Sequence, residues 1–341
     1  TARPPASRSS GRGMAELIRY GAYLPRYRAP LAEIQSFYGR PGRPRARALC
    51  TPALDEDALT MAHEAAGEAL AGAEAPGTLI ALTQSPPFGL RKLSATLART
   101  LGLPAETVPI DLGGHAGGLL DAFALASALA RDGSPALVVA SDHLVSHEER
   151  VCDLLSAGGA AAFLVGAAGG FARLGPAARA GREVYDVWRL GTEPEPRYRL
   201  EVLFDAYAAT TTAALAELER QTERAAGDYA AVCPSQPHPQ TLRGLGRAGV
   251  GPQQLEHTSF VGEIGNLGAA SVGLALALGL DRAEPGQHLL ALGYGGGEAI
   301  AQDIEVTAPP PAVGAAERIP GEAIDLSTYY RWTRGRQAEP H

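Results

Sequence analysis

Residues 113–140 read GGHAGGLLDAFALASALARDGSPALVVA, and residues 265–293 read GNLGAASVGLALALGLDRAEPGQHLLALG. Both run from a glycine turn through an Ala/Leu-rich helix to an apolar strand. Helices so poor in large side chains and so apolar on every side predict burial between sheets, not placement on a surface. Two of them in one chain predict two similar βα halves that share a centre. Elsewhere strands and helices alternate, which makes the fold class α/β.

Outward from these stretches, ELIRYGAYLP after Met14 predicts a strand stopped by Pro25. Residues 55–72 predict a helix with Asp55 as N-cap and Leu59, Ala62, Ala66 and Leu70 on one face. GTLIALT is a short buried strand ending at the SPPFG turn, and SATLARTLGL is a helix with a glycine stop. TVPIDLGG and SAGGAAAFLVG are further strands, and DYAAVCPS is a strand leading into PQTLRGLGRAG. Residues 172–200, rich in Arg, Glu and Pro, read as a connecting segment, and 307–322 as a loop. The expected organisation is a disordered lead over 1–13, an N-terminal half over 14–172, a C-terminal half over 173–306, and a linker with an aromatic, basic tail over 307–341.

Composition narrows the function. The 341 residues carry 30 basic and 37 acidic side chains, a formal charge of −7. That balance argues against a general nucleic-acid binder. No apolar run reaches the roughly 18 residues of a membrane span. The lead lacks the apolar core of a signal peptide. Cys50, Cys152 and Cys233 are too far apart for a disulfide framework or a paired zinc spacing, so a reducing cytoplasm is the expected location. Lys92 is the sole lysine, which leaves one candidate for Schiff-base chemistry.

Nine motifs in order carry a resemblance over residues 15–336: YGAYLPRYR, EDALTMAHEAAGEAL, SPPF, DLGGHAGGLLDA, LLSAGGAAAFLVG, SQPH, IGNLGAAS, GYGGG and YYRWTRGR. In these the chain resembles the thiolase superfamily, within it the archaeal-type 3-hydroxy-3-methylglutaryl-CoA (HMG-CoA) synthase branch, close to ketoacyl synthase III. The resemblance implies a five-layered αβαβα thiolase fold built from two similar halves. It implies an acyl-CoA or acyl-carrier pantetheine thioester as substrate and no permanently bound cofactor. It also implies a homodimer or a heteromer with another thiolase-fold chain, with an OB-fold zinc-ribbon protein or an acyl carrier protein as further partners.

The departures from that family bear on mechanism. The resemblance places a cysteine nucleophile at the start of the first buried helix, where the helix dipole and backbone N–H groups stabilise a thiolate and an oxyanion. Here that position is His115. A glutamate acid/base is expected one residue before SPP, and Gln84 stands there. The family histidine position holds Ser235, and the asparagine position three residues on holds His238. Asn266 and the glycine loop Gly295, Gly296, Gly297 are kept.

Each residue has a functional and a structural reading. A neutral His115 at a helix start is a base or hydrogen-bond donor, or it fills the space of a lost cysteine. His238 is a base that swings into the site, or a turn residue. Ser235 is a nucleophile only with a histidine in reach, and otherwise a buried hydroxyl. Asn266 donates to a thioester oxygen, or tolerates positive φ in a turn. Gly295–Gly297 allow close backbone approach to a ligand, or make a tight turn. Asp142, His143 and His147 suggest a metal, but a solvated strand end fits them better and no third ligand type is evident. Arg189, Arg197 and Arg199 either line a phosphate entrance or are solvated.

The expectation is therefore an acyl-thioester acyltransferase-type protein with a non-standard site, doing carbon–carbon or acyl-transfer chemistry, alone or within a complex. The alternative is a non-catalytic partner subunit of a thiolase/OB-fold acyltransferase complex. A third reading, an ordinary synthase with a misplaced nucleophile, rests on Cys233.

Overall fold

The computed structural model describes residues 14–113, 115–130, 133–144, 146, 150–190 and 196–335, so the expected lead over 1–13 lies outside the described residues. Nine strands form one mixed sheet: β1 Glu16–Tyr23, β2 Thr78–Thr83, β3 Val108–Gly113, β4 Ala136–His143, β5 Gly158–Gly166, β6 Ala172–Gly181, β7 Ala231–Pro234, β8 His288–Gly295 and β9 Glu298–Val306. Their order is β7-β8-β9-β6-β1-β5-β4-β2-β3. β2 runs parallel to β3 and β4, and β7 parallel to β8; the other pairings are antiparallel.

This order contains one pattern twice, β1-β5-β4-β2 and β6-β9-β8-β7. The copies join where Glu16 and Leu17 pair with Arg173 and Ala172. Among the described residues, β3 extends only the first copy.

The helices complete the layers: α1 Ala58–Leu70, α2 Leu93–Thr100, α3 Leu119–Leu129, α4 Leu200–Thr222, α5 Ser271–Leu280 and α6 Leu326–Gly335. α1 and α2 cover the outer face of the first copy, α4 covers that of the second, and α3 and α5 lie between the copies. The result is the expected α/β/α/β/α stack. Three buried clusters fill it. One lies under α1 and α2 (Met61, Leu79, Leu97, Leu164), one between the copies (Phe123, Phe163, Leu274, Ile300), and one under α4 (Tyr207, Leu215, Leu290, Ala301). β4 and β5 are covered on both faces, as their unbroken apolar runs require.

All ten residues of α5 are buried, in line with its composition. α3 differs: Ala124, Ala128 and Leu129 are exposed, because it packs mainly on the first copy and leaves one flank open. The cap of α1 is Asp57, not Asp55. Its carboxylate accepts from the Leu59 and Thr60 amides, while the Thr60 hydroxyl accepts from the Asp57 amide. That reciprocal box needs a hydroxyl three residues on, and only Asp57 has one.

Residues 172–181, expected as part of a connection, form the strand β6. Gly175 and Pro176 disguised it. Pairing with β9 slips between Gln302 and Ile304, and the bulge accommodates both residues.

Residues 313–323 are bolted to the body rather than loose. Asp281 accepts the Val313 and Ala315 amides and the Tyr20 hydroxyl. Arg318 binds Glu68 at 2.6 Å, together with the Val313 and Ala22 carbonyls. Buried Arg28 donates to the carbonyls of Arg318 and Ile319. Glu322–Ala323 then pairs with Tyr27–Ala29, and α6 sets Tyr330 against Phe37 and Trp332 against Tyr27. Replacing Arg318 with Ala should lower unfolding stability in urea by about 1–3 kcal/mol, because a charged donor leaves several acceptors. Arg26→Ala, which breaks the exposed pair with Glu322, should change it by less than about 0.5 kcal/mol.

Candidate active site

The carboxyl ends of the parallel strands gather the expected residues, as in open α/β sheets generally. Gln84 follows β2, His115 follows β3, Asp142 lies near the end of β4, Ser235 follows β7 and Gly295 ends β8. Asn266 lies ahead of α5 as His115 lies ahead of α3.

The two copies meet here backbone to backbone. A Cβ on Gly293 would lie 2.7 Å from the Gly117 carbonyl oxygen, and one on Gly117 would lie 2.7 Å from the Tyr294 nitrogen. A Cβ on Gly295 would lie 2.8 Å from both His115 Nδ1 and the Ala116 nitrogen. Glycine is therefore required at these positions by contact across the seam. Gly296 and Gly297, with φ of 58° and 81°, are the two central residues of the β8–β9 hairpin, where positive φ favours glycine.

His115 is held at both nitrogens. Nδ1 accepts the Gly117 N–H at 3.2 Å, and Nε2 lies 3.2 Å from Asp121 Oδ2. Since Nδ1 accepts, Nε2 carries the proton and donates to Asp121. Arg179 Nη1 donates to the other carboxylate oxygen at 2.5 Å. Burial alone would raise the Asp121 carboxyl, but the hydrogen bonds and charge of His115 and Arg179 outweigh it and hold it below the usual carboxylate range.

Gln84 and Asn266 are organised by Asp142. This carboxylate is fully buried, so the expectation of a solvated strand end is corrected. Oδ1 accepts from the Gln84 amide at 2.6 Å, the Ser85 amide and hydroxyl, and the Thr83 hydroxyl; Oδ2 accepts from the Ala269 amide at 2.6 Å. Burial pushes the Asp142 carboxyl up, and these donors oppose the shift. A Cβ on Gly268, at φ 55°, would collide with Asp142 Oδ2. Asn266 Oδ1 accepts the Gly268 amide, and its own backbone bonds to Leu155 and Ala157. Among the described residues no group of three His, Cys, Asp or Glu could hold a metal; His147 lies outside them.

Ser235 is fully buried, and its hydroxyl accepts the Tyr294 amide at 2.9 Å. It holds β8 and is closed to a substrate. His238 caps the helix Pro239–Gly244: Nδ1 accepts the Gln240 amide, the ring packs on Phe204, and Nε2 is buried without a hydrogen-bond partner. Burial, then the charge of Arg45, lowers its pKa to about 4. Cys233 is fully buried, and burial pushes its thiol far up. Cys50 is likewise buried, its thiol raised to about 12. The reading that rests on a Cys233 nucleophile thus finds no support. Of the three arginines, Arg189 donates to the Gln84 carbonyl at 3.4 Å, Arg199 lies over the Trp188 ring, and Arg197 pairs with Trp188 in a short ribbon.

Asp121 and Arg179 were not anticipated. A lone carboxylate inside the apolar run GGLLDAF was the available signal for the first.

No family model matches the chain. It is 28% identical over 297 residues to hydroxymethylglutaryl-CoA synthase of Methanopyrus kandleri, covering 82% of this chain and 84% of that one. A crystal structure of HMG-CoA synthase complexed with CoA superposes with a TM-score of 0.83 at 17% identity, over 93% of this chain and 90% of that chain. The 3-oxoacyl-(acyl carrier protein) synthase III of Pseudomonas aeruginosa PAO1 gives 0.77 at 22% identity, over 88% and 99%. The chain thus has the thiolase fold of these synthases. Within that fold it is HMG-CoA synthase-like.

Two outcomes check the site's framework. Asp142→Ala should cost at least about 3 kcal/mol in urea unfolding, because five donors lose their buried acceptor. The second concerns pH. The His238 imidazole takes a proton near 6.5 when unfolded but only near 4 when folded. Between those values the unfolded chain binds more protons, so stability falls as pH drops. In His238→Asn that fall should be smaller by up to about 3 kcal/mol between pH 7 and 4.

Proposed function

We propose that this chain acts on acyl thioesters of coenzyme A or an acyl carrier protein, by proton transfer through His115 and without an acyl-cysteine intermediate. The observation that carries this is the seat of His115. Asp121 accepts the hydrogen bond from Nε2–H, so Nδ1 is the basic atom at the start of α3. Among the described residues the Gly117 amide donates to that atom, through a long bond of 3.2 Å. The likeness to HMG-CoA synthases, one of them solved with CoA, supports the substrate class.

In the proposed step Nδ1 removes a proton from the carbon beside the thioester carbonyl. The electron pair passes to the carbonyl oxygen, giving an enolate. With its Oδ1 held by Gly268, Asn266 is left with Nδ2 to donate to that oxygen. The enolate carbon then attacks the carbonyl of a second substrate, forming the carbon–carbon bond. The new alkoxide takes the proton back from Nδ1. Nothing is oxidised and the thioester bond survives; the reverse sequence is a retro-aldol cleavage.

The burial of Cys50, Cys152 and Cys233 also suits a non-catalytic subunit of a heteromer, and one experiment separates the readings. Purified protein is incubated in deuterium oxide with acetyl-CoA or with an acetylated acyl carrier protein. Deuterium should enter the acetyl methyl group by mass spectrometry, and His115→Ala should slow this by about 10²–10⁴-fold, the usual worth of a positioned base. Intact-protein mass should show no stable acyl adduct. An adduct, or unchanged exchange in His115→Ala, would overturn the proposal. No exchange by the unmodified chain would leave the subunit reading in its place.

A further inference from the structure

Asp121 orients His115, yet Asp121 is itself held from the other copy of the fold. Arg179 lies on β6, paired with Ile300 of β9. Its guanidinium takes Asp121 Oδ1, and the imidazole takes Oδ2. One carboxylate therefore serves two donors, one oxygen each, across the seam between the copies. The terminal torsion of an aspartate is soft and nearly two-fold, so a second donor is what fixes its rotation. The side chains of Arg179, Asp121 and His115 are 50%, 32% and 28% exposed. An ion pair that open contributes little to stability, which leaves geometry as its role.

We infer that Arg179 is a positioning residue: through Asp121 it locks His115 in the tautomer protonated at Nε2, leaving Nδ1 as the proton acceptor. The inference rests on His115 being the working base, but the lock can be read in the resting protein without substrate.

The test is long-range ¹H–¹⁵N spectroscopy of the His115 ring, with its signals assigned by their loss in His115→Gln. In the unmodified protein Nδ1 should resonate as a bare nitrogen and Nε2 as a protonated one. Arg179→Met should average the two signals while the thermal midpoint stays within a few degrees. Arg179→Lys, which keeps a donor, should move them part of the way back. Deuterium incorporation into acetyl-CoA should fall by about tenfold or more in Arg179→Met with KM unchanged, a cost of the size seen when a metal-bound histidine loses the outer partner that orients it. Unaltered ring signals in Arg179→Met would overturn the inference. Altered ring signals with no deuterium incorporation by the unmodified chain would instead count against the proposed reaction and leave the lock standing.

Discussion

The Asp142 carboxylate sits where the two copies of the fold share their central layer, and the site is arranged around it. It is fully buried, and a lone carboxylate in that position would be prohibitively costly. Five donors from two separate segments make it tolerable: Thr83, Gln84 and Ser85 from the end of β2, and Ala269 from the turn into α5. The same hydrogen bonds fix the loop that presents Gln84 and the turn that presents Asn266. Burying the charge and positioning the site are one event.

His115 depends on the opposite copy in a different way. Its loop lies in backbone contact with β8, which only Gly117, Gly293 and Gly295 permit. Its ring is anchored to Asp121, and Asp121 to Arg179 of β6. Ser235 adds the third tie, since its hydroxyl holds the β8 amide between the two seam glycines. A serine where relatives are expected to carry a histidine thus serves the framework, while His238 beside it serves as a helix cap.

The layered fold was legible because two features have unambiguous patterns. Covered strands carry unbroken apolar runs, ALVVA in β4 and GGAAAFLVG in β5, and α5 is apolar on every side. What escaped reading was masked by local composition. Gly175 and Pro176 look like loop residues, yet they occupy a bulge in β6. α4 follows an Arg/Pro-rich segment, and its alternation of alanine, threonine and acidic residues carries a weak apolar stripe. In the site, the positions of His115, Gln84, Asn266 and Gly295 could be read from motif order. The carboxylates could not. Asp142 looks like the polar end of a strand and Asp121 like a first-turn helix acid. Only the tertiary arrangement supplies their partners, which lie up to 127 residues away in sequence.

The glycine seam has a mechanical consequence. Where two backbones touch with no side chain between them, neither can approach further and no rotamer change can absorb a shift. The backbone that carries His115 is therefore preorganised: its coordinates are set when the chain folds. On the proposed function, a substrate need not spend binding energy on drawing the halves together. Under the same proposal, adaptation to ligand size falls to segments outside the seam; Phe88 and Leu90, which follow the Gln84 turn, are exposed.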